Sequence, residues 1–310
     1  MEKYIILADV TCDLSKEIRD YFKIEDYIEG FATFSDGRDI KTRLDWSLIS
    51  REEFYKTLST NKITVKTAPP TPEAYYQTFK KYVENGYKVL SMSISSKISS
   101  TYNVAVGAAN RVKTEFDDAT IYCFDSYRMS GAFGLLVMYA HKLKNEGASF
   151  DEVIAWLEEN KLNVHQMGPI DDLIFVARRG QITMGKAIMG NFAGVKPMGD
   201  CNQDGYVSVL AKVKGINRAL EVTVEYLKQT AVDINEQYVL ISHSNRLAFA
   251  QKLKELIEKN LTAKAVFISD VFAGSGANIG PGMIGVYFLG KKVSPELTEE
   301  KEIMTEILNR

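Results

Sequence analysis

Short apolar runs with few polar positions, each followed by a longer helical pattern, constrain this chain more than any other feature. Tyr4-Ile5-Ile6-Leu7-Ala8 is the first run, Val89-Leu90-Ser91-Met92-Ser93-Ile94 belongs to another over residues 87–94, and residues 119–125 form a third. A strand with one wet face alternates apolar and polar residues. Runs that do not alternate belong to a sheet covered on both faces, and their alternation with helices makes that sheet parallel. The helical patterns fall at residues 50–58, 72–85, 101–114, 130–146 and 150–160, with a further helix from Ser15. Ser50 with Glu53 reads as a capping box, and Pro72 suits a first helical turn.

The second half repeats the theme less regularly. Strand candidates near 173–176, 193–198, 206–213, 237–242, 264–269 and 284–289 are interspersed with helical segments near 184–191, 215–230, 245–259 and 296–309. Asn202-Gln203-Asp204-Gly205 is a turn signal between two strands, which points to a hairpin and a mixed sheet. A chain of 310 residues has room for two domains. The expected fold is α/β in two domains: residues 1–162 with a parallel sheet and residues 163–310 with a mixed sheet.

Several function classes are disfavoured at this stage. A net charge of −2, with basic and acidic residues interspersed, argues against nucleic acid or an anionic membrane surface as partner. No apolar run approaches the roughly 20 residues that span a bilayer. The N-terminus enters a strand at once, without signal-peptide architecture. Cys12, Cys123 and Cys201 are odd in number and widely spaced, as buried free thiols are, so a reducing, cytoplasmic setting is expected. No paired-cysteine or HExxH metal spacing occurs, and no GxxxxGK[ST] phosphate loop. Gly280, Gly282 and Gly285 spell GxGxxG, but a strand rather than a helix follows, so residues 274–285 read as a tight loop with close backbone approach. His141 and His165 are expected on surfaces or helix faces, while His243 follows a strand and is a candidate cleft residue. Arg178-Arg179 is a short basic pair, of the solvated kind. No catalytic residue, metal or cofactor is expected.

In a parallel α/β sheet, ligands lie beyond the carboxyl ends of the strands, where loops feed helix N-termini. Three such junctions carry small polar residues: Asp9–Asp13, Ser95–Thr101 and Asp125–Ser130. A fourth polar loop, Thr67-Ala68-Pro69-Pro70-Thr71, precedes the 72–85 helix. Capping alone explains one or two hydroxyls per helix start. Ser95, Ser96, Ser99, Ser100 and Thr101 exceed that need. Without a formal positive charge, such a cluster suits a carboxylate or a single phosphate better than a polyphosphate.

Assembled in order, these segments resemble the DegV family of bacterial fatty-acid-binding proteins over nearly the whole chain. Asp9-Val10-Thr11-Cys12-Asp13-Leu14 is similar to the family's D-S-T-x-D-L, with Val10 in place of serine. Thr67 to Thr71 resembles its T-S-Q-P-S loop, and Ser95 to Tyr102 its S-S-K-L-S-G-T-Y. Asp125-Ser126 with Ser130, Gly194-Val195-Lys196-Pro197-Met198 and Gly280-Pro281-Gly282 resemble its third junction, its L-x-I-K-P-I strand and its G-P-G loop. The resemblance implies two α/β domains holding one long-chain fatty acid in a cleft between them, the carboxylate fixed by hydroxyls. These map to Thr67 and Ser99, with the Ser99 and Ser100 amides assisting and Asn278 beside them. Thr11, Ser126, Gln181 and Gly280 are implied as cleft lining. Two positions depart from the family: Gln181 and Asn278 stand where many members have arginine and histidine. The resemblance further implies a non-enzymatic carrier that presents its fatty acid to a separate ATP-dependent fatty acid kinase. A lipid-sensing regulatory protein without a kinase and a small-molecule phosphotransferase are the alternatives.

Overall fold

The first apolar run forms β1 (Tyr4–Asp9), buried at all six positions. In this computed structural model, which describes residues 2–60, 62–171, 175 and 194–310, β1 lies inside a four-stranded parallel sheet. It pairs with β2 (Tyr27–Ile28) on one side and β6 (Lys88–Ser93) on the other, and β6 pairs with β7 (Ile121–Asp125). Ile6 lies opposite Leu90 and Ala8 opposite Met92, so Asp9 and Ser93 reach the same carboxyl edge. Both faces are covered, as the unbroken apolar runs require.

The second sheet is mixed. β11 (Tyr238–His243) runs parallel to β12 (Ala265–Asp270) and antiparallel to β13 (Ile284–Leu289), which pairs antiparallel with β8 (Val164–Met167). The hairpin around Asn202–Gly205 forms as expected, from β9 (Val195–Cys201) and β10 (Val207–Lys214). It stands as a two-stranded sheet, tied by a bridge from Met198 to Pro169.

Helices α1 (Lys16–Phe22), α2 (Arg51–Ser59), α3 (Pro72–Glu84), α4 (Thr101–Lys113), α5 (Ser130–Asn145) and α6 (Phe150–Asn160) follow the expected segments of the first half. α7 (Ile216–Thr230), α8 (Leu247–Asn260), α9 (Ala273–Ile279) and α10 (Thr298–Leu308) occur in the second. At α2, Ser50 accepts from the Glu53 amide, one half of the expected capping box, whereas the full reciprocal box is built by Ser149 and Glu152 at α6. No helix among the described residues is long and apolar enough to cross a membrane.

α5 is buried continuously from Ser130 to His141 because it packs between the two sheets. One apolar cluster runs from Ile6, Leu90 and Phe124, through α5, to Tyr238, Leu240 and Tyr287. The close approach depends on Gly134: a Cβ there would lie 2.3 Å from the Cys12 carbonyl oxygen. Backbone cannot swing aside as a side chain can. Gly134→Ala should therefore lose about 1–3 kcal/mol of stability through overpacking, read as a lowered denaturant midpoint; an unchanged midpoint would refute tight apposition there.

Several expectations are corrected. β3 (Phe31–Phe34), β4 (Asp39–Lys41) and β5 (Val65–Ala68) form an antiparallel sheet that the sequence reading did not find. These strands are only three or four residues long, too short for a visible alternation. The glycine-rich segment is not a loop at its start but helix α9. Close backbone approach does hold, since a Cβ on Gly276 would meet Tyr55 and Phe54 within 3.0 Å. His141 and His165 are buried rather than superficial. Burial pushes the His141 imidazole down to about 3. All three cysteines are free; Cys12 and Cys201 are buried and Cys123 is half-buried. The expected strand at 173–176, the expected helix at 184–191 and Arg178-Arg179 lie wholly or mostly outside the described residues.

Candidate functional site

The carboxyl edge of the parallel sheet opens into a cavity of about 300 Å³. Its walls come from the β1 turn, the turn before α4, the loop after β5, and α9. At the first turn, Asp9 is 1% exposed, and one of its oxygens accepts from the Thr11 amide at 2.9 Å and from the Thr11 hydroxyl. The other accepts from the Ile94 amide at 2.8 Å. Asp9 thus staples two βα turns together across the sheet edge. Burial raises its carboxyl above the usual range, against the pull of the Thr11 and Ile94 donors.

Asp13, in the left-handed region at φ 53°, is the next fixed point. Its carboxylate accepts from the Ser130 hydroxyl at 2.6 Å and the Phe272 amide at 2.9 Å, joining the first turn to α5 and to the segment before α9. Burial pushes this carboxyl up to about 7, offset in part by bonds from Ser130, Ser275 and Phe272.

The hydroxyls of residues 95–101 divide their work. Ser95 Oγ accepts from the Lys97 amide, and the Ser96 amide donates to Asp125. Ser99 Oγ accepts from the Thr101 amide at 3.2 Å and shares a hydrogen bond of 2.8 Å with Thr101 Oγ1. Ser100 occupies the cap position of α4 without a side-chain capping bond. Across the cavity, Asn278 Nδ2 donates to Thr67 Oγ1 at 3.0 Å, which leaves the Thr67 proton for another acceptor.

The structure therefore brings Thr67, Ser99, Ser100, Asn278 and Thr11 to one cavity. Ser126 is not there: it is fully buried, and its hydroxyl exchanges bonds with the Arg128 backbone to close its own turn. Gly280 is also displaced from the wall. It ends α9 at φ 77°, and a Cβ there would meet the Phe175 ring at 2.6 Å; its neighbour Ile279 lines the cavity instead. Gln181 lies outside the described residues. His243 is buried at the end of β11, 3.5 Å from Asp270, and does not line the cavity.

Sequence reasoning missed Gly30, Thr42, Met129 and Ser275 as lining. The first two belong to the small antiparallel insertion, where the Gly30 amide donates to Thr42 Oγ1 at 3.0 Å. Asp9 was visible as the end of a strand, but nothing local marked its side chain as a wall of the site.

Met129, Ser130 and Ile279 also border a second, narrower cavity of about 50 Å³. Its other walls include Met167, Ile170, Val207, Met283 and Ile284. A hydroxyl-lined chamber and an apolar slot thus share Met129, Ser130 and Ile279 at the carboxyl edge of the parallel sheet in an α/β protein. The chain belongs to the DegV family, described as a family of uncharacterised proteins, whose pattern matches residues 3–291. It is 30% identical over 299 residues to a DegV domain-containing protein of Clostridium perfringens, covering 95% of this chain and 100% of that one.

Solved structures share the fold. A fatty-acid-binding DegV protein of Thermus thermophilus superposes with a TM-score of 0.81 at 22% identity, over 94% of this chain and 100% of that one. A Thermotoga maritima protein whose structure revealed fatty acid binding gives 0.79 at 24% identity, over 94% and 100%. The fatty acid kinase (Fak) B3 protein of Streptococcus pneumoniae, loaded with linoleic acid, gives 0.79 at 16% identity, over 93% and 100%.

Proposed function

We propose that this chain binds one long-chain fatty acid between residues 1–162 and 163–310, head group in the hydroxyl-lined chamber and tail along the apolar slot. The observation that carries this reading is the junction of the two cavities at Met129, Ser130 and Ile279. A chamber with unspent hydroxyl donors beside an apolar channel matches a molecule that is polar at one end only. The slot, at about 50 Å³, is narrower than ligand pockets usually are, roughly 300 Å³ and upward. Met129, Met167 and Met283 line it, and unbranched thioether chains repack easily. Tail insertion thus proceeds with methionine displacement.

Thr67 and one hydroxyl of the Ser99–Thr101 pair donate to the head group, and Ser100 at the start of α4 adds a third donor. The chain acts as a carrier rather than an enzyme, and presents its ligand to a separate ATP-dependent kinase. The likeness to the streptococcal kinase-system protein supports that second part.

Native mass spectrometry of protein purified from bacterial cells should reveal a bound acyl chain. Absence of one, together with no binding of added palmitate or oleate, would refute the reading. Thr67→Ala with Ser99→Ala should weaken palmitate binding roughly 30-fold, from two hydrogen bonds of about 1 kcal/mol each. Unchanged affinity in a calorimetric titration would remove both residues from the head-group site. Kinase presentation is tested by supplying the loaded protein and ATP to a bacterial fatty acid kinase and assaying acyl phosphate.

A further inference from the structure

The chamber wall holds a buried carboxyl exactly where a fatty acid head group would be charged. Asp9 is 1% exposed and lines the cavity together with Thr11, Thr67, Ser99 and Ser100. Among the described lining residues there is no lysine, arginine or histidine. The titratable groups that feel Asp9 are Cys12 and Asp13, from its own turn, and Tyr75 from α3. None of these is a cation. The adjoining β6 edge offers the Ile94 amide and no charged group.

A second carboxylate placed in this chamber repels Asp9, and like charges at close range favour a shared proton, so that one of the two is neutral. Burial raises the Asp9 carboxyl above its ordinary value, but three donors fixed by the fold favour its charged form over that of the ligand: the Thr11 amide, the Thr11 hydroxyl and the Ile94 amide. The ligand's donors are hydroxyls, which serve a neutral acid as well as an anion. The N-terminus of α4 opposes this, but it amounts to about half an elementary charge against the full charge of Asp9.

Resting on the acyl-binding reading above, we propose that the ligand is held as its neutral carboxylic acid while Asp9 remains the anion. Binding then takes up one proton: the carboxylate in water, a proton from the medium and the empty protein give the protein–acid complex. The acid's O–H needs an acceptor, and Asp9 Oδ2 spends one lone pair on Ile94 and keeps another. The site would thereby select uncharged head groups, such as a free acid or a primary amide, over permanently anionic ones.

The test is calorimetry of palmitate on the full chain, in two buffers of different protonation enthalpy, at about pH 8, well above an ordinary carboxyl value of ~4.3. Uptake of close to one proton per ligand is expected, with affinity falling about tenfold for each pH unit above neutrality. Hexadecanamide should bind with no such dependence. Carbon NMR of carboxyl-labelled palmitate on the same protein should show the protonated-acid shift across that range. Asp9→Asn should abolish the uptake and tighten binding at pH 8, a gain that a purely structural role for Asp9 would not produce. The asparagine amide would face the Ile94 N–H, so the variant can fold poorly; the NMR and calorimetry on the unaltered chain decide the matter without it. Palmitate bound with an ionised carboxyl signal and no proton uptake overturns this inference alone. No palmitate binding at all overturns the acyl-binding reading on which it rests.

Discussion

Replacing Asp200 with alanine should cost the fold about 3–5 kcal/mol, because it breaks a buried ion pair from one side. Asp200 is fully buried on β9. Its carboxylate meets His165 Nδ1 at 2.6 Å and the Tyr226 hydroxyl at 2.8 Å, and accepts from the amides of Gln166 at 2.8 Å and Cys201 at 2.7 Å. His165 Nε2 lies 2.8 Å from the Lys291 carbonyl, which can only accept. Both ring nitrogens therefore face acceptors, an arrangement that favours the doubly protonated imidazole. Burial alone would push His165 down, but the Asp200 charge and hydrogen bond, with the Lys291 carbonyl, outweigh it and hold the imidazole above its ordinary value.

The sign of the pH dependence follows. A histidine raised in the folded state contributes stability that is fully present below its unfolded value, about 6.5, and is lost as pH rises through the folded value. Stability from urea unfolding should therefore decline as pH rises from about 6.5 through the folded value, and Asp200→Ala should flatten the decline as well as lower the midpoint. A variant as stable as the parent, with the same pH profile, would show that the network contributes nothing.

Shortening a saturated ligand from sixteen to twelve carbons should weaken binding roughly 200-fold. Four methylenes at about 0.8 kcal/mol each amount to about 3 kcal/mol when the tail is fully buried. The head group is unchanged along this series, so the effect isolates the slot beyond Met129 and Ile279. A flat series in a calorimetric titration would mean that the tail stays in solvent, and the apolar slot would lose its assigned role. Together with the hydroxyl variants, this series would separate the tail's share of the affinity from that of the Thr67 and Ser99 hydroxyls.

Much of the architecture was legible because the burial it needs is written as unbroken apolar runs. Tyr4–Asp9 and Lys88–Ser93 could only be inner strands of a covered sheet, and both are. The helix starts at Ser50 and Pro72 carried their own signals: Ser50 accepts from the Glu53 amide, and Pro72 opens α3. The insertion of β3, β4 and β5 was not legible, since three-residue and four-residue strands have no period to read.

The candidate site divides in the same way. The junctions that hold Thr11, Ser99 and Ser100 and the loop that holds Thr67 were legible from the strand-to-helix pattern, and the family resemblance singled out these residues within them; all four line one cavity. Ser126 was read by the same rule and fails it: its hydroxyl is consumed by the turn to Arg128, a competition that residue type does not reveal. Asn278 is brought opposite Thr67 by α9, a helix that the glycine-rich run did not advertise.

From sequence alone came the covered parallel sheet, the carboxyl edge where its loops feed helices, and the hydroxyls that gather there. Those depend on short-range periodicity and on the geometry common to parallel sheets. Which carboxyls are buried, which hydroxyls remain unspent, and that the chamber opens onto a methionine-lined slot were decided only by tertiary structure. The reason is physical: Asp9 with Ile94, Asp13 with Phe272, and Thr67 with Asn278 meet across 85, 259 and 211 positions of chain, and no local pattern encodes a contact at that range.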